Sequence, residues 1–279
     1  ALMVLKPMDR RAPAVFLERG VAAYAAIFVN VMLTRWITDR LGDEWVGTYW
    51  SISLNAMPWV VLMLVQLYRM QLGGWMVWVR RAIAAVGALL GLGGLALAAG
   101  PANPLLALFG QEASGRVHGP LILDTLFIAY ALPAALLIAA AARMPHLARW
   151  MRLGLTGIGA ALGILYAALE IRRFWQGDLL SVPGVTQPEL YSYTVAMLIA
   201  GAVLLYQAIA RRSGALRRIA MGVIALTVAK VFLIDASGLS GLTRVFSFLA
   251  LGLSLAGLAW LNRWAAMRAG GDGADAGAG

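Results

Sequence analysis

The sequence predicts an all-α polytopic membrane protein, a transmembrane helix bundle of about eight spans with both termini cytoplasmic. Composition, the length of the apolar runs and the placement of basic residues between them all point there. Of 279 residues, 61% are hydrophobic and 13% charged, against roughly 25% charged in soluble domains. The apolar residues come in runs of about 20, the length at which a helix rising 1.5 Å per residue crosses a ~30 Å hydrocarbon core.

Spans are expected at about 20–38, 52–69, 82–100, 121–142, 151–170, 191–210, 219–236 and 243–262. Between them, one set of loops holds Lys6, Arg10, Arg11 and Arg19, then Arg69, Arg80 and Arg81, then Arg143, Arg149 and Arg152. It continues with Arg211, Arg212, Arg217 and Arg218 and ends with Arg263 and Arg268. The alternate loops hold Arg35, Arg40, Arg116, Arg172, Arg173 and Arg244. Sixteen basic residues against six, with Lys230 inside a span, account for all 23. Cytoplasmic loops are rich in Lys and Arg, so the first set is assigned to the cytoplasm. The net charge of +10 therefore reads as topology and not as nucleic-acid binding. Trp36, Trp45, Trp50 and Trp175 fall near the outer boundary and Trp75, Trp78, Trp150, Trp260 and Trp264 near the inner one, as an interfacial belt requires.

Small residues stand four apart at Gly87 and Gly91, Gly159 and Gly163, and Gly252 and Ala256. Such faces let membrane helices approach closely. Packing within the bundle is the expected use, with helix–helix partners or homodimerisation the alternative. Pro58 and Pro133 fall within spans and are expected to kink them. The stretch from Thr38 to Trp50 is expected on the outer surface. Residues 1–268 are read as one transmembrane domain and 269–279, rich in Gly and Ala, as a disordered tail. Ala1–Leu5 reads as the last turn of a preceding helix.

The chain has no cysteine, which excludes disulfides and thiolate chemistry. It carries none of the Walker, zincin, nucleophile-elbow or dinucleotide motifs, so no cofactor and no metal is expected. His118 and His146 fall on opposite sides of the membrane. His146 reads as a loop residue, and His118 as a loop residue able to shuttle protons.

Polar residues at membrane depth remain. Lys230 lies five residues before Asp235, roughly 7–8 Å below the outer end of its helix. A lysine there must snorkel, pair or face water. Five residues is about 140° around a helix, so Asp235 is not its expected partner; Glu170, Asp124 or a neighbouring tyrosine is. Asp235 and Arg244 flank a Gly/Ser turn and suit a structural ion pair. Together these residues outline an outer-face polar pocket of Asp124, Tyr166, Glu170, Arg172, Arg173, Tyr193, Lys230, Asp235 and Arg244, with Trp175 on its wall. Cations beside carboxylates suit an anionic head group, and equally an ion or proton path.

The segments EIRRFWQGDLL from Glu170, ELYSYTVAMLIAGAVLL from Glu189, RRSGALRRIA from Arg211 and LTVAKVFLIDASGLSGLTRVFSFLALGLSLAGLAWL from Leu226 resemble the C-terminal portion of a bacterial predicted-membrane-protein family, domain of unknown function 2339. The resemblance implies a multi-pass protein of the bacterial cytoplasmic (inner) membrane, part of a longer family architecture with more spans, and brings no activity. Three functions stay open. The first is binding or transfer of an anionic lipid-linked or glycan substrate at the outer face, in the cell envelope. The second is small-solute or proton-coupled transport, and the third a non-catalytic membrane scaffold or assembly partner. The expected partners are the lipid bilayer and an anionic lipid, and no nucleic acid.

Overall fold

The computed structural model describes residues 11–72, 77–106, 115–234 and 242–274. The predicted helix over Ala1–Leu5, Asp235 and the end of the predicted tail at 275–279 lie outside the described residues, as does the side chain of Arg244. The helices are α1 (Arg11–Leu41), α2 (Tyr49–Arg69), α3 (Val77–Ala99), α4 (Phe127–Arg143), α5 (Arg149–Gln176), α6 (Gln187–Ala210), α7 (Gly214–Leu233) and α8 (Leu242–Ala274). Each predicted span overlaps one of them. Among the described residues α2, α3, α5 and α6 are long and apolar enough to cross a membrane, and α4 is a shorter apolar helix. The remaining helices do not meet that measure, so about eight spans stays an expectation. Leu89, Ile164, Ile199 and Leu253 lie exposed on helix faces, an arrangement that lipid tolerates and water penalises.

The chain packs as two compact units, Ala1–Gly184 and Val185–Gly279. In the first unit α3 lies directly on α2. A Cβ at Gly91 would stand 2.7 Å from the Val60 backbone nitrogen, and one at Gly94 2.7 Å from the Ala56 methyl. Gly87 is equally closed, 3.0 Å from the Trp59 carbonyl. Gly159 brings α5 onto α4, where a Cβ would meet the Ala134 carbonyl at 2.9 Å. These glycines are therefore used within the unit. Gly252 has nothing within 4 Å.

Polar side chains join the remaining helices. Asn30 of α1 donates to the Asn55 carbonyl of α2 at 2.7 Å, and Thr34 donates to the Asn55 side chain at 3.1 Å. Tyr49, at the start of α2, shares a 2.5 Å hydrogen bond with Thr125 and stacks on Tyr130, whose hydroxyl donates to the Ala98 carbonyl at the end of α3. At the opposite end His146 bonds the Leu67 carbonyl, Arg80 the Arg69 carbonyl and Arg152 the Ala141 carbonyl. Loops of the two predicted sets thus gather at opposite ends of this unit, one rich in arginine.

The span predicted from 121 begins later. Asp124 accepts from the Phe127 backbone nitrogen at 2.9 Å and caps the helix there, which leaves Leu121–Leu123 in the loop and exposed. The stretch 38–50 is also only partly at the surface. It turns through a short 3-10 helix at Asp43–Trp45, and then Thr48, Tyr49 and Trp50 are buried.

Pro133 follows a π turn over Phe127–Ala131. Having no N–H, Pro133 cannot donate to the carbonyl four residues back, at Ala129. The buried Ser53 hydroxyl of α2 donates to that carbonyl instead, at 2.7 Å. In lipid a freed carbonyl needs such a donor.

In the second unit Gly201 of α6 faces Ile224 of α7, 2.9 Å from the position of a Cβ. Leu205, Ala220 and Ile224 form a small core with Leu258 of α8 against it.

Removing the Ser53 hydroxyl strands the Ala129 carbonyl. Ser53→Ala is expected to cost about 1–3 kcal/mol of stability. The same change made with Pro133→Ala, which restores a backbone donor, should cost clearly less. Unfolding of the four variants of this cycle by denaturant in detergent measures the coupling, and additive losses would show that serine and proline act separately.

Candidate functional site

The site forms where two loops of the first unit close over the ends of α4 and α5. The loops pair as a short antiparallel contact, with a bridge between Arg116 and Leu179. The Val117 nitrogen donates to the Asp178 carbonyl at 2.8 Å, and the Leu180 nitrogen to the Gly115 carbonyl at 2.9 Å. Gly119 (φ 110°) turns the chain where a Cβ would press within 3.0 Å of Asp124. Ile122 has φ 77°, a costly conformation for a β-branched residue, and Tyr166 of α5 holds its carbonyl at 2.7 Å.

Arg173, near the end of α5, locks the two loops together. Its Nη1 donates to Asp124 Oδ2 at 2.6 Å and to the Pro120 carbonyl at 3.4 Å. Its Nη2 donates to the Gly119 carbonyl at 2.7 Å and to Asp178 Oδ1 at 2.9 Å, and its Nε to the same Asp178 oxygen at 3.0 Å. All five guanidinium N–H groups are thereby used. Arg173 is 7% exposed and Asp124 2%, a depth at which an unpaired charge would be prohibitive. Arg172 is used similarly, donating to the carbonyls of Leu180, Val182 and Gly184. Two of the three arginines that the sequence places in the pocket, Arg172 and Arg173, therefore make the frame of the loops.

The neighbouring Glu170 is different. Both of its carboxylate oxygens are buried, with no hydrogen-bond partner among the described residues. It stands in the electrostatic field of Asp124 and Arg173, close to the Ile122 backbone. Two carboxylates cannot donate to each other, and one proton between them would turn repulsion into a hydrogen bond.

A cavity of about 510 Å³ opens beside this clamp, lined by residues 116–119 and by Arg173, Gln176, Asp178 and Leu179. Among the described residues the Arg116 guanidinium makes no hydrogen bond or ion pair. The His118 ring makes none either and meets Trp45 edge-on at 4.8 Å. Charge counting along the sequence places Arg116 only among the outer-loop cations. Its position in the cavity follows from the bridge to Leu179, a pairing of residues 63 apart that no local pattern signals.

The other nominated residues belong to the second unit. A capping box joins Thr186 and Glu189 at the start of α6, and Glu189 is fully buried. The Tyr193 hydroxyl donates to Glu189 Oε1 at 2.9 Å. Lys230 of α7 donates to the Leu190 carbonyl at 3.0 Å and to the Thr194 hydroxyl at 2.6 Å. Its ammonium is held by the neighbouring helix through a carbonyl and a hydroxyl. The structure thus brings together Asp124, Tyr166, Glu170 and Arg173, with Arg172 beside them, and separately Tyr193 and Lys230. Among the described residues no cluster of His, Asp or Glu is suited to a metal ion.

The sequence pattern of the family described as predicted membrane protein, domain of unknown function 2339, matches residues 1–264. The chain belongs to this family. The match to domain of unknown function 2339 covers both units and not only the segments from Glu170 onward that carry the resemblance in sequence. It supports a multi-pass membrane protein surrounded by lipid. No curated protein and no solved structure matches the chain.

Breaking the buried Arg173–Asp124 pair would leave a charge without its partner. Asp124→Asn is expected to cost about 3 kcal/mol, the low end for a buried pair because Asp178 remains. Arg172→Lys, nearer the surface, should cost under about 1 kcal/mol. Denaturant unfolding in detergent separates the two, and equal losses would show that the clamp is not centred on Asp124.

Proposed function

We propose that this protein binds an anionic lipid-linked or glycan head group at the non-cytoplasmic face of the membrane, within the cell envelope, in the cavity between residues 116–119 and 176–179. The observation that carries this reading is the contrast among the arginines. Arg172 and Arg173 are consumed by loop oxygens, whereas Arg116 lines the cavity with its donors unspent among the described residues. A planar guanidinium with free donors suits a phosphate or carboxylate oxygen pair, and His118 beside it adds a donor in the same wall. The orientation rests on the sixteen-to-six division of basic residues.

Arg116→Gln is expected to weaken binding of a short-chain phosphatidic acid by at least tenfold, the contribution of one charge-assisted contact. Arg35→Gln, on α1, should leave it unchanged. Titration calorimetry in detergent measures both, with glucose 6-phosphate and free phosphate as probes for a glycan or a simple anion. Equal affinity in wild type and Arg116→Gln for every probe would sink the reading.

A second reading, proton-coupled transport, is favoured by the buried Glu170 oxygens, which have no hydrogen-bond partner among the described residues. Ionisable groups at membrane depth commonly mark ion paths. In proteoliposomes carrying a pH-sensitive dye, Glu170→Gln is expected to abolish a proton flux shown by the wild type. No flux in the wild type, or the same flux in both, would remove it.

A further inference from the structure

At the arginine-rich end of the first unit, α3 and α5 part above α2 and leave a second cleft of about 630 Å³. Its floor is Met63 and Leu67 of α2, and small residues open it: Ala84 and Ala88 on α3, Gly154 on α5. Apart from its rim the lining is hydrocarbon. The rim carries Arg81, which makes no side-chain hydrogen bond or ion pair among the described residues, and Trp150, 73% exposed.

The dimensions fit one kind of occupant. Along α3 the lining runs from Arg81 to Leu92, eleven residues or about 16 Å. That is half of a ~30 Å hydrocarbon core, the depth of one leaflet. The cleft therefore begins at head-group level, where arginine and tryptophan are at home, and ends near the midplane. Its volume falls within the roughly 300–1,000 Å³ of small-molecule sites.

We infer that this cleft is a binding site for one acyl chain of an anionic phospholipid of the arginine-rich leaflet, with the phosphate held by Arg81. An aliphatic chain matches the lining, and only the rim can tell one head group from another. Arg80 turns away to bond the Arg69 carbonyl and Arg152 bonds the Ala141 carbonyl, so among the described lining residues Arg81 is the cation with free donors. The site is distinct from the cavity at Arg116, at the opposite end of the same unit.

The test reconstitutes the full chain in nanodiscs holding palmitoyl-oleoyl phosphatidylglycerol and phosphatidylcholine in equal parts. The protein is then transferred to mild detergent, and the retained lipid is counted by native mass spectrometry. Wild type is expected to retain one phosphatidylglycerol in preference to phosphatidylcholine. Arg81→Gln should lower that preference by about five- to tenfold, one head-group contact, while an acyl chain is still retained. Gly154→Leu should exclude both lipids, because a Cβ at Gly154 meets nothing within 4 Å and the larger side chain occupies the cleft without disturbing the helices. Helical circular dichroism and elution volume should match wild type in both variants. Equal retention of the two lipids by wild type, or undiminished retention by Gly154→Leu, would overturn the inference. A shift to dimer in wild type on lipid removal would instead assign the cleft to a second copy.

Discussion

Arg173 gives all five of its N–H groups to oxygens of two loops that are also joined by a short backbone contact. A guanidinium so deeply buried is tolerable only when each donor is met and a carboxylate faces it. The arrangement therefore persists as a unit or not at all. Asp124, held on one oxygen by Arg173, uses the other to cap the helix that starts after it. The same interaction closes the cavity wall and sets where α4 begins. The start of α4 in turn places Thr125 against Tyr49 and Tyr130 against the last carbonyls of α3.

Away from the clamp, the first unit is held by geometry more than by burial of apolar area. Lipid tails are as apolar as leucine, so helices gain by close approach and by satisfied polar groups. The α2–α3 contact shows the first. At Gly91 and Gly94 even a methyl group would collide with the partner backbone or its small side chains, and at Gly87 it would be tight. The pairing of Ser53 with the Ala129 carbonyl shows the second, because Pro133 makes a vacancy in one helix that a hydroxyl of another fills. Each of these contacts is cheap in area and exact in position.

This explains what could be read from the sequence. Helix positions follow from hydropathy, and the glycine spacings at Gly87–Gly91 and Gly159–Gly163 mark close-packed faces, because both signals are local. The polar residues of the site were also visible as types: Asp124, Glu170 and Arg173 stand out in an apolar chain. Their partners were not visible. Lys230 meets the Leu190 carbonyl and the Thr194 hydroxyl, and a backbone carbonyl and a threonine hydroxyl carry no mark in a sequence. Arg116 is the complementary case. It resembles every other loop arginine until the loop at Leu179 is laid beside it.

The same reasoning governs how charge is to be read in a membrane protein. Counting arginines at one end of a bundle measures topology, but an arginine recognises a ligand only with donors it has not already spent. For Arg173 to bind an anion it would have to release Asp124, Asp178 and two carbonyls, and the loops with them. Arg172 would release the carbonyls that shape residues 180–184. Among the described residues Arg116 and Arg81 have nothing to release. The proposed recognition therefore falls to Arg116 and Arg81, each of which lines a cavity and makes no hydrogen bond or ion pair among the described residues, and not to the pair with the denser local charge.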